Sequence, residues 1–332
     1  MLKRKFSFKL FALSLLFIGS VSFFGCSEEY TLPLDLEDGA VLAITPTKAV
    51  YEGEVIHRDG VELWSKGVCY NTNPEPTLED FFVYDESEGM SISVILTNLE
   101  PNTTYFIRAF SKTMFDVGYS EEIIITTPDY VIDMRDDRVY NVVEINGVTY
   151  FQENLKYLPN VSPSSENSAE EAHCYVYGYE GYDIDEAMQS DNFKKYGVLY
   201  NVPAALNGEE AAEENDEYVQ GICPDGWHIP SYNDWIDLYA SEYGYSTTLY
   251  RSKTGWDDNK ESSDKFLFNA LPGGYINEDG EFDEILKAAY WWHSSYNYFG
   301  QFVFHIHSDH NNVGSMSIKD NQAASVRCVK DY

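Results

Sequence analysis

Gly221-Ile222-Cys223-Pro224-Asp225-Gly226-Trp227-His228-Ile229-Pro230-Ser231 runs directly into Tyr232-Asn233-Asp234-Trp235-Ile236-Asp237-Leu238-Tyr239. Ser231 can cap a helix, and Asp234 at the third position closes the capping box. Trp235, Leu238 and Tyr239 then fall on one face at i, i+3 and i+4, so this helix packs on a core. Upstream, Val139-Tyr140-Asn141-Val142-Val143-Glu144-Ile145 and Val148-Thr149-Tyr150-Phe151 flank Asn146-Gly147. Asn-Gly between alternating apolar runs signals a hairpin, because both turn residues need positive φ. The acid-rich span from Glu166 to Glu217 reads as solvated loops, with Gly208 to Tyr218 the clearest case.

Further motifs extend this module. They are Tyr196-Gly197-x-Leu199-Tyr200, Ala270-Leu271-Pro272-Gly273-Gly274-Tyr275, Tyr290-Trp291-Trp292 and Ser325-Val326-Arg327-Cys328-Val329-Lys330-Asp331. Together with the Cys-Pro-x-Gly-Trp-His-x-Pro element, in this order, they resemble the Fibrobacter succinogenes major paralogous domain. The resemblance covers 138–332 and implies an α+β fold like that of C-type lectins.

N-terminal to it, short apolar runs recur at Val41 to Ile44, Glu62 to Tyr70, Ser91 to Leu96, Tyr105 to Phe110 and Ile123 to Thr127, with turn residues between them. Such spacing predicts an all-β sandwich. Leu99-x-Pro101-x-Thr103-x-Tyr105 resembles the tyrosine corner of fibronectin type III domains, whose usual work is spacing or weak binding. The charge-dense stretch 129–137 reads as a linker. The expected order is therefore a signal peptide at 1–25, a lipidated tether at 26–37, a fibronectin type III-like sandwich at 38–128, the linker, and the lectin-like module at 138–332.

The N-terminal expectation rests on Lys3, Arg4, Lys5 and Lys9 followed by an uncharged stretch from Leu10 to Gly25. That stretch is shorter than the ~20 residues a helix needs to span a bilayer. Phe23-Phe24-Gly25-Cys26 resembles the lipobox of bacterial lipoproteins, with Cys26 as the lipid acceptor. Ser27-Glu28-Glu29 is similar to the acidic export signal of Bacteroidetes-type surface lipoproteins. The expected location is the outer membrane, lipid-anchored and facing outward. With 55 acids against 22 bases and a net charge of −33, nucleic acid and anionic membrane surfaces are repelled.

Four cysteines remain beyond Cys26, and spacing alone leaves their pairing open. The family resemblance places Cys223 before the helix and Cys328 on the final strand, and so implies a Cys223–Cys328 bridge. The partner that many relatives have for Cys174 is absent from Asp191-Asn192-Phe193-Lys194-Lys195. Cys69 reads as a small buried hydrophobe.

Candidate sites come from three places. In His305-Ile306-His307-Ser308-Asp309-His310, His305 and His307 share a strand face, the spacing for a metal; the alternative is a partly exposed strand with His310 in a turn. In the aromatic segment from Tyr290 to Phe299, Tyr290, Trp292, Ser294 and Ser295 read as core. His293 and Tyr296 depart from the family pattern and are candidate ligand contacts on a loop. Asp257-Asp258-Asn259-x-Glu261 and Asp264 offer oxygens, but calcium-loop spacing wants glycine where Ser262 stands, and a turn after Trp256 is the better reading. His228 reads as a hydrogen-bonded structural histidine. No cofactor is implied, with calcium and other metals left open. No catalytic motif is present, so the expectation is a non-catalytic surface lipoprotein that binds a glycan or a protein. A polysaccharide-active hydrolase and a structural envelope component are the alternatives.

Overall fold

The computed structural model describes residues 34–212, 218–239, 246–258, 260–297 and 300–332. The expected signal peptide and Cys26 lie outside the described residues. The first module is a sandwich. β1 (Ala40–Ile44), β2 (Lys48–Glu54) and β5 (Ser91–Thr97) form one face. The other face is β4 (Phe81–Asp85), β3 (Ser65–Asn71), β6 (Thr104–Lys112) and β7 (Val117–Tyr119), with β8 (Ile123–Thr126) also pairing β6. β5 shows the cause most plainly: Ile92, Val94 and Leu96 are buried while Ser91, Ser93, Ile95 and Thr97 face out, as the period of two requires. The Tyr105 hydroxyl accepts the Glu100 backbone N–H at 3.0 Å, which is the tyrosine corner. The arrangement is fibronectin type III-like.

Two expectations at its borders change. The tether is docked from Leu34 onward: Leu34 is buried and its carbonyl accepts the Ser111 hydroxyl at 2.7 Å. Leu36 bridges Val55, and Asp35 pairs with Arg58 at 2.8 Å. The span 129–137 is no free linker either. β9 (Val131–Asp133) pairs with β10 (Arg138–Tyr140), and Asp133 is fully buried. Arg135 caps it with a forked ion pair and donates to the Ile222 carbonyl at 2.8 Å. Asp133 and Arg135 thus pin this hairpin to the second module.

That module begins with β11 (Val142–Ile145) and β12 (Val148–Phe151), joined at Asn146 (φ 53°) and Gly147 (φ 81°) as the hairpin signal predicts. β13 (Cys174–Tyr175), α1 (Ile184–Gln189), α2 (Asp191–Tyr196), β14 (Leu199–Asn201) and α3 (Val202–Leu206) occupy the acid-rich span. Exposed loop is found at 165–173 and 208–211, with 213–217 outside the described residues, but from 184 to 206 short helices and β14 replace it, with Asp183, Asp185, Glu186 and Asp191 at helix starts. Asp183 accepts the Glu186 N–H, and Ser190 accepts that of Phe193. β15 (Trp227–His228) precedes α4 (Tyr232–Tyr239). β16 (Tyr275–Ile276) and β17 (Phe282–Asp283) lead into the long hairpin β18 (Ala288–Asn297) and β19 (Gly300–His307), followed by β20 (Gly314–Ile318), β21 (Ala323–Ser325) and β22 (Val329–Lys330).

The modules share a sheet. β1 pairs antiparallel with β11, matching Ala43 to Ile145 and Ile44 to Glu144, so one seven-stranded sheet runs β15-β22-β12-β11-β1-β2-β5. An exposed sheet edge would invite stray pairing, and here the second module covers it. Ala43 and Val50 pack in one cluster with Val143, Ile145, Trp235 and Trp291. Lys265 reaches back across to Glu52 at 2.7 Å.

The expected capping box is present. Ser231 donates from its N–H and hydroxyl to Asp234 Oδ2 at 2.7 and 2.6 Å, and the Asp234 N–H returns to Ser231 Oγ at 3.2 Å. Trp235 and Tyr239 both stack on Phe304, at 4.4 and 5.6 Å between centroids. Cys223 and Cys328 are disulfide-bonded with Cα atoms 5.9 Å apart, while Cys69 and Cys174 are free and buried. Closing a loop of this length stabilises by up to about 4.7 kcal/mol in the chain-entropy model.

Candidate functional site

The β18–β19 hairpin positions nearly every candidate. Its register pairs Ala288 with His307, Tyr290 with His305 and Trp292 with Val303, then shifts before Tyr296. Alternation therefore sends Trp291, His293, Phe304 and Ile306 to one face and Tyr290, His305 and His307 to the other.

On the first face His293 is 1 % exposed, so the loop contact expected of it is overturned. It lies within the strand, among Tyr232, Trp235 and Phe302, and its Nε2 meets Ser315 Oγ at 3.0 Å. Its Nδ1 has no hydrogen-bond partner among the described residues. Burial pushes the ring's pKa down to about 3, so it is neutral and structural. Tyr296 belongs to β18 by its backbone, and its side chain lies outside the described residues.

The other face buries Ala288, Trp292 and Val303 in a second core cluster and carries ionisable side chains around Tyr290, His305 and His307. Tyr290 donates its hydroxyl hydrogen to Glu284, from the turn after β17. His307 Nε2 lies 2.7 Å from the Tyr290 oxygen and 3.3 Å from Glu284 Oε2. Across the ring, His307 Nδ1 is 3.3 Å from Asp309 Oδ1, and His310 Nδ1 is 3.5 Å from the same oxygen. Burial first and the Glu284 carboxylate second raise the Tyr290 hydroxyl far above its ordinary range, so it stays protonated. His305 shares this face, its ring 5.5 Å from that of His307. Its Nε2 is turned toward Gly314, where a Cβ would stand 2.9 Å away. Burial, then His307 and His310, lower its pKa to about 4. The shared face of His305 and His307 is thus as expected, yet the donors that converge are His307, Asp309 and His310. The missed partners are Glu284 and Tyr290. Only the Asp309-His310 pair beside His307 gave a signal in the sequence.

The remaining candidates are dispersed. Asp258 is taken by an ion pair with Arg251, whose guanidinium lies 4.1 Å over Trp256. Asp264 accepts the Asn269 N–H at 2.8 Å, and burial raises its pKa to about 7. His228 bridges Asp331 (2.8 Å) and Asp234 (3.3 Å) inside the fold. Burial alone would raise the Asp234 carboxyl, but hydrogen bonds from His228 and Ser231 hold it below the usual range.

By construction this is a β-sandwich protein continued into a mixed module of strands and short helices. Residues 143–330 match the Fibrobacter succinogenes major domain, more than half of the chain, and the protein belongs to that family. No curated protein matches it. Among solved structures, it is similar to the chicken CNTN1 FN1–FN3 domains at 20% identity over 29% of this chain and 33% of that one, with a TM-score of 0.25. It therefore spans about a third of that protein's length. It is also similar to the sixth fibronectin type III domain of human fibronectin type III domain containing protein 3 (20% identity, 30% and 89% covered, TM-score 0.24). The sensor domain of the anti-sigma factor RsgI4 of Pseudobacteroides cellulosolvens is a third (20%, 30% and 98% covered, TM-score 0.22). No property passes from these to the present chain.

Proposed function

We propose that the protein is an outer-membrane lipoprotein, anchored through Cys26, that holds a lectin-like binding or adhesion module outside the cell on a fibronectin-like sandwich. The ligand is a glycan or a partner protein. The observation that carries this reading is the β1–β11 ladder. A sandwich joined by sheet pairing to the family domain holds that domain's loops in a fixed position relative to the sandwich, which suits a display function. The seam also decides the test. A fragment starting at 130 would lose β1 and with it Ala43 and Val50 of the shared core, so the intact chain in detergent is applied to glycan and protein arrays. Saturable binding without turnover supports the proposal. Product release would replace it with a polysaccharide-active hydrolase, and silence on both arrays with a structural envelope role. The anchor is tested separately: Cys26→Ala should abolish fatty-acid labelling, and protease shaving of intact cells should remove the wild-type protein. Persistent label on the variant would refute lipidation at Cys26. Protection until lysis would place the protein facing the periplasm.

A further inference from the structure

We propose that His307, Asp309 and His310 bind one divalent transition-metal ion, zinc fitting best, with Glu284 and Tyr290 orienting His307 from behind. The argument is a count of protons. Tyr290 has one hydroxyl hydrogen, and it goes to Glu284. The Tyr290 oxygen, 2.7 Å from His307 Nε2, is then an acceptor, and Glu284 Oε2 at 3.3 Å is another. Nε2 must therefore carry the imidazole hydrogen, which leaves Nδ1 of the neutral ring as a bare lone pair. That lone pair faces Asp309 Oδ1 at 3.3 Å. Two acceptors facing each other need a cation between them, and His310 Nδ1 turns toward the same oxygen at 3.5 Å.

The spacing suits a metal. Bonds of about 2.0–2.1 Å in a tetrahedron set neighbouring donors roughly 3.3–3.4 Å apart; the two Nδ1–Oδ1 distances are 3.3 and 3.5 Å, and each of the three residues offers a ligand atom within 4.8 Å of the others. Two imidazoles and one carboxylate are a zinc-type set. Behind it, the His307 Nε2–H is directed at the Tyr290 oxygen, which Glu284 holds in turn, an outer-shell relay of the kind that fixes a ligand ring's tautomer. His305 takes no part, its Nε2 being turned toward Gly314. Asp309 and His310 are exposed, so an ion could enter from solvent and keep a coordination position open to it. The rival is a proton on His307, making a plain ion pair with Asp309.

The test uses the full chain without a polyhistidine tag, stripped with a chelator and titrated with zinc by calorimetry, with cobalt(II) absorption as a second readout. One equivalent should bind, and cobalt should give tetrahedral d–d bands. His307→Gln and His310→Ala should each weaken binding at least ~10-fold, and Glu284→Gln about 10-fold through loss of the carboxylate charge that takes the Tyr290 hydrogen and so leaves its oxygen to accept from His307. His57→Ala removes an exposed histidine that also stands two residues before an aspartate, at 3.8 Å, and should change nothing. His310 is at the surface, so its variant should keep the wild-type circular dichroism. No saturable zinc binding by the folded wild type, or unchanged affinity in both histidine variants, would overturn the proposal in favour of the ion pair.

Discussion

The two modules are held together by different means. The sandwich depends on an apolar interior of residues such as Leu34, Val68, Leu96 and Ile107, with the tyrosine corner at one end. The second module adds a disulfide, a buried histidine, and arginines without solvent contact such as Arg327, which lies 4.3 Å over Phe268 and donates to that residue's carbonyl. The sandwich has such a device as well, a buried Lys66 that donates to the Ser87 and Gly89 carbonyls beside Asp85, and β1 and β11 make the sheet continuous across both halves. A fold joined this way should pass strain from the second module to the first. A sandwich attached by a flexible linker would not.

Trp291→Ala should give the largest effect. The indole is fully buried against Trp235, Phe268 and Phe304, and donates to Asn154 at 2.8 Å. Truncation of this kind costs about 3–5 kcal/mol. Urea unfolding should show that loss, and peptides from β3 and β6 should also exchange faster. Unchanged exchange in the sandwich would break the coupling.

Acid should act next, through His293. Its folded pKa of about 3 lies below the ordinary 6.5, so between these values the unfolded chain binds a proton that the native one refuses. Stability falls as pH falls through this window, by about 1.4 kcal/mol per pH unit. His293→Phe should therefore lose about 2 kcal/mol less than wild type between pH 7 and pH 5. The difference between the two proteins isolates this group from Asp264, whose raised pKa works with the opposite sign. Parallel stability curves from denaturant titrations at each pH would refute the assignment.

Ser231→Ala should be smallest, about 1 kcal/mol for a lost cap, visible as a modest shift in midpoint. If that loss reaches 3 kcal/mol, Ser231 is supporting the His228–Asp234–Asp331 network as well as the helix.

How much of this could be read from sequence varies by element. β5 and β6 alternate, and the tyrosine corner has a fixed spacing, so the sandwich was legible. β2 was not, because Ala49, Val50 and Tyr51 are buried in succession and break the period of two. The seam was invisible, since Ala40–Ile44 looks the same whether one or both of its edges are paired. Parity placed His305 and His307 on one face, but both faces of the hairpin are buried over most of their length, and nothing local says that His293 lies under cover. Ser315 and Tyr232 decide that from distant elements. Glu284 joins the cluster from another turn, beyond the reach of spacing rules.

The continuous sheet is the central claim, and native-state hydrogen exchange on the intact chain tests it most directly. Peptides covering β1 and β11 should exchange as slowly as those from β2 and β12, through one shared unfolding event. Rapid exchange in β1 and β11 between protected neighbours, or separate unfolding of the two modules, would contradict it.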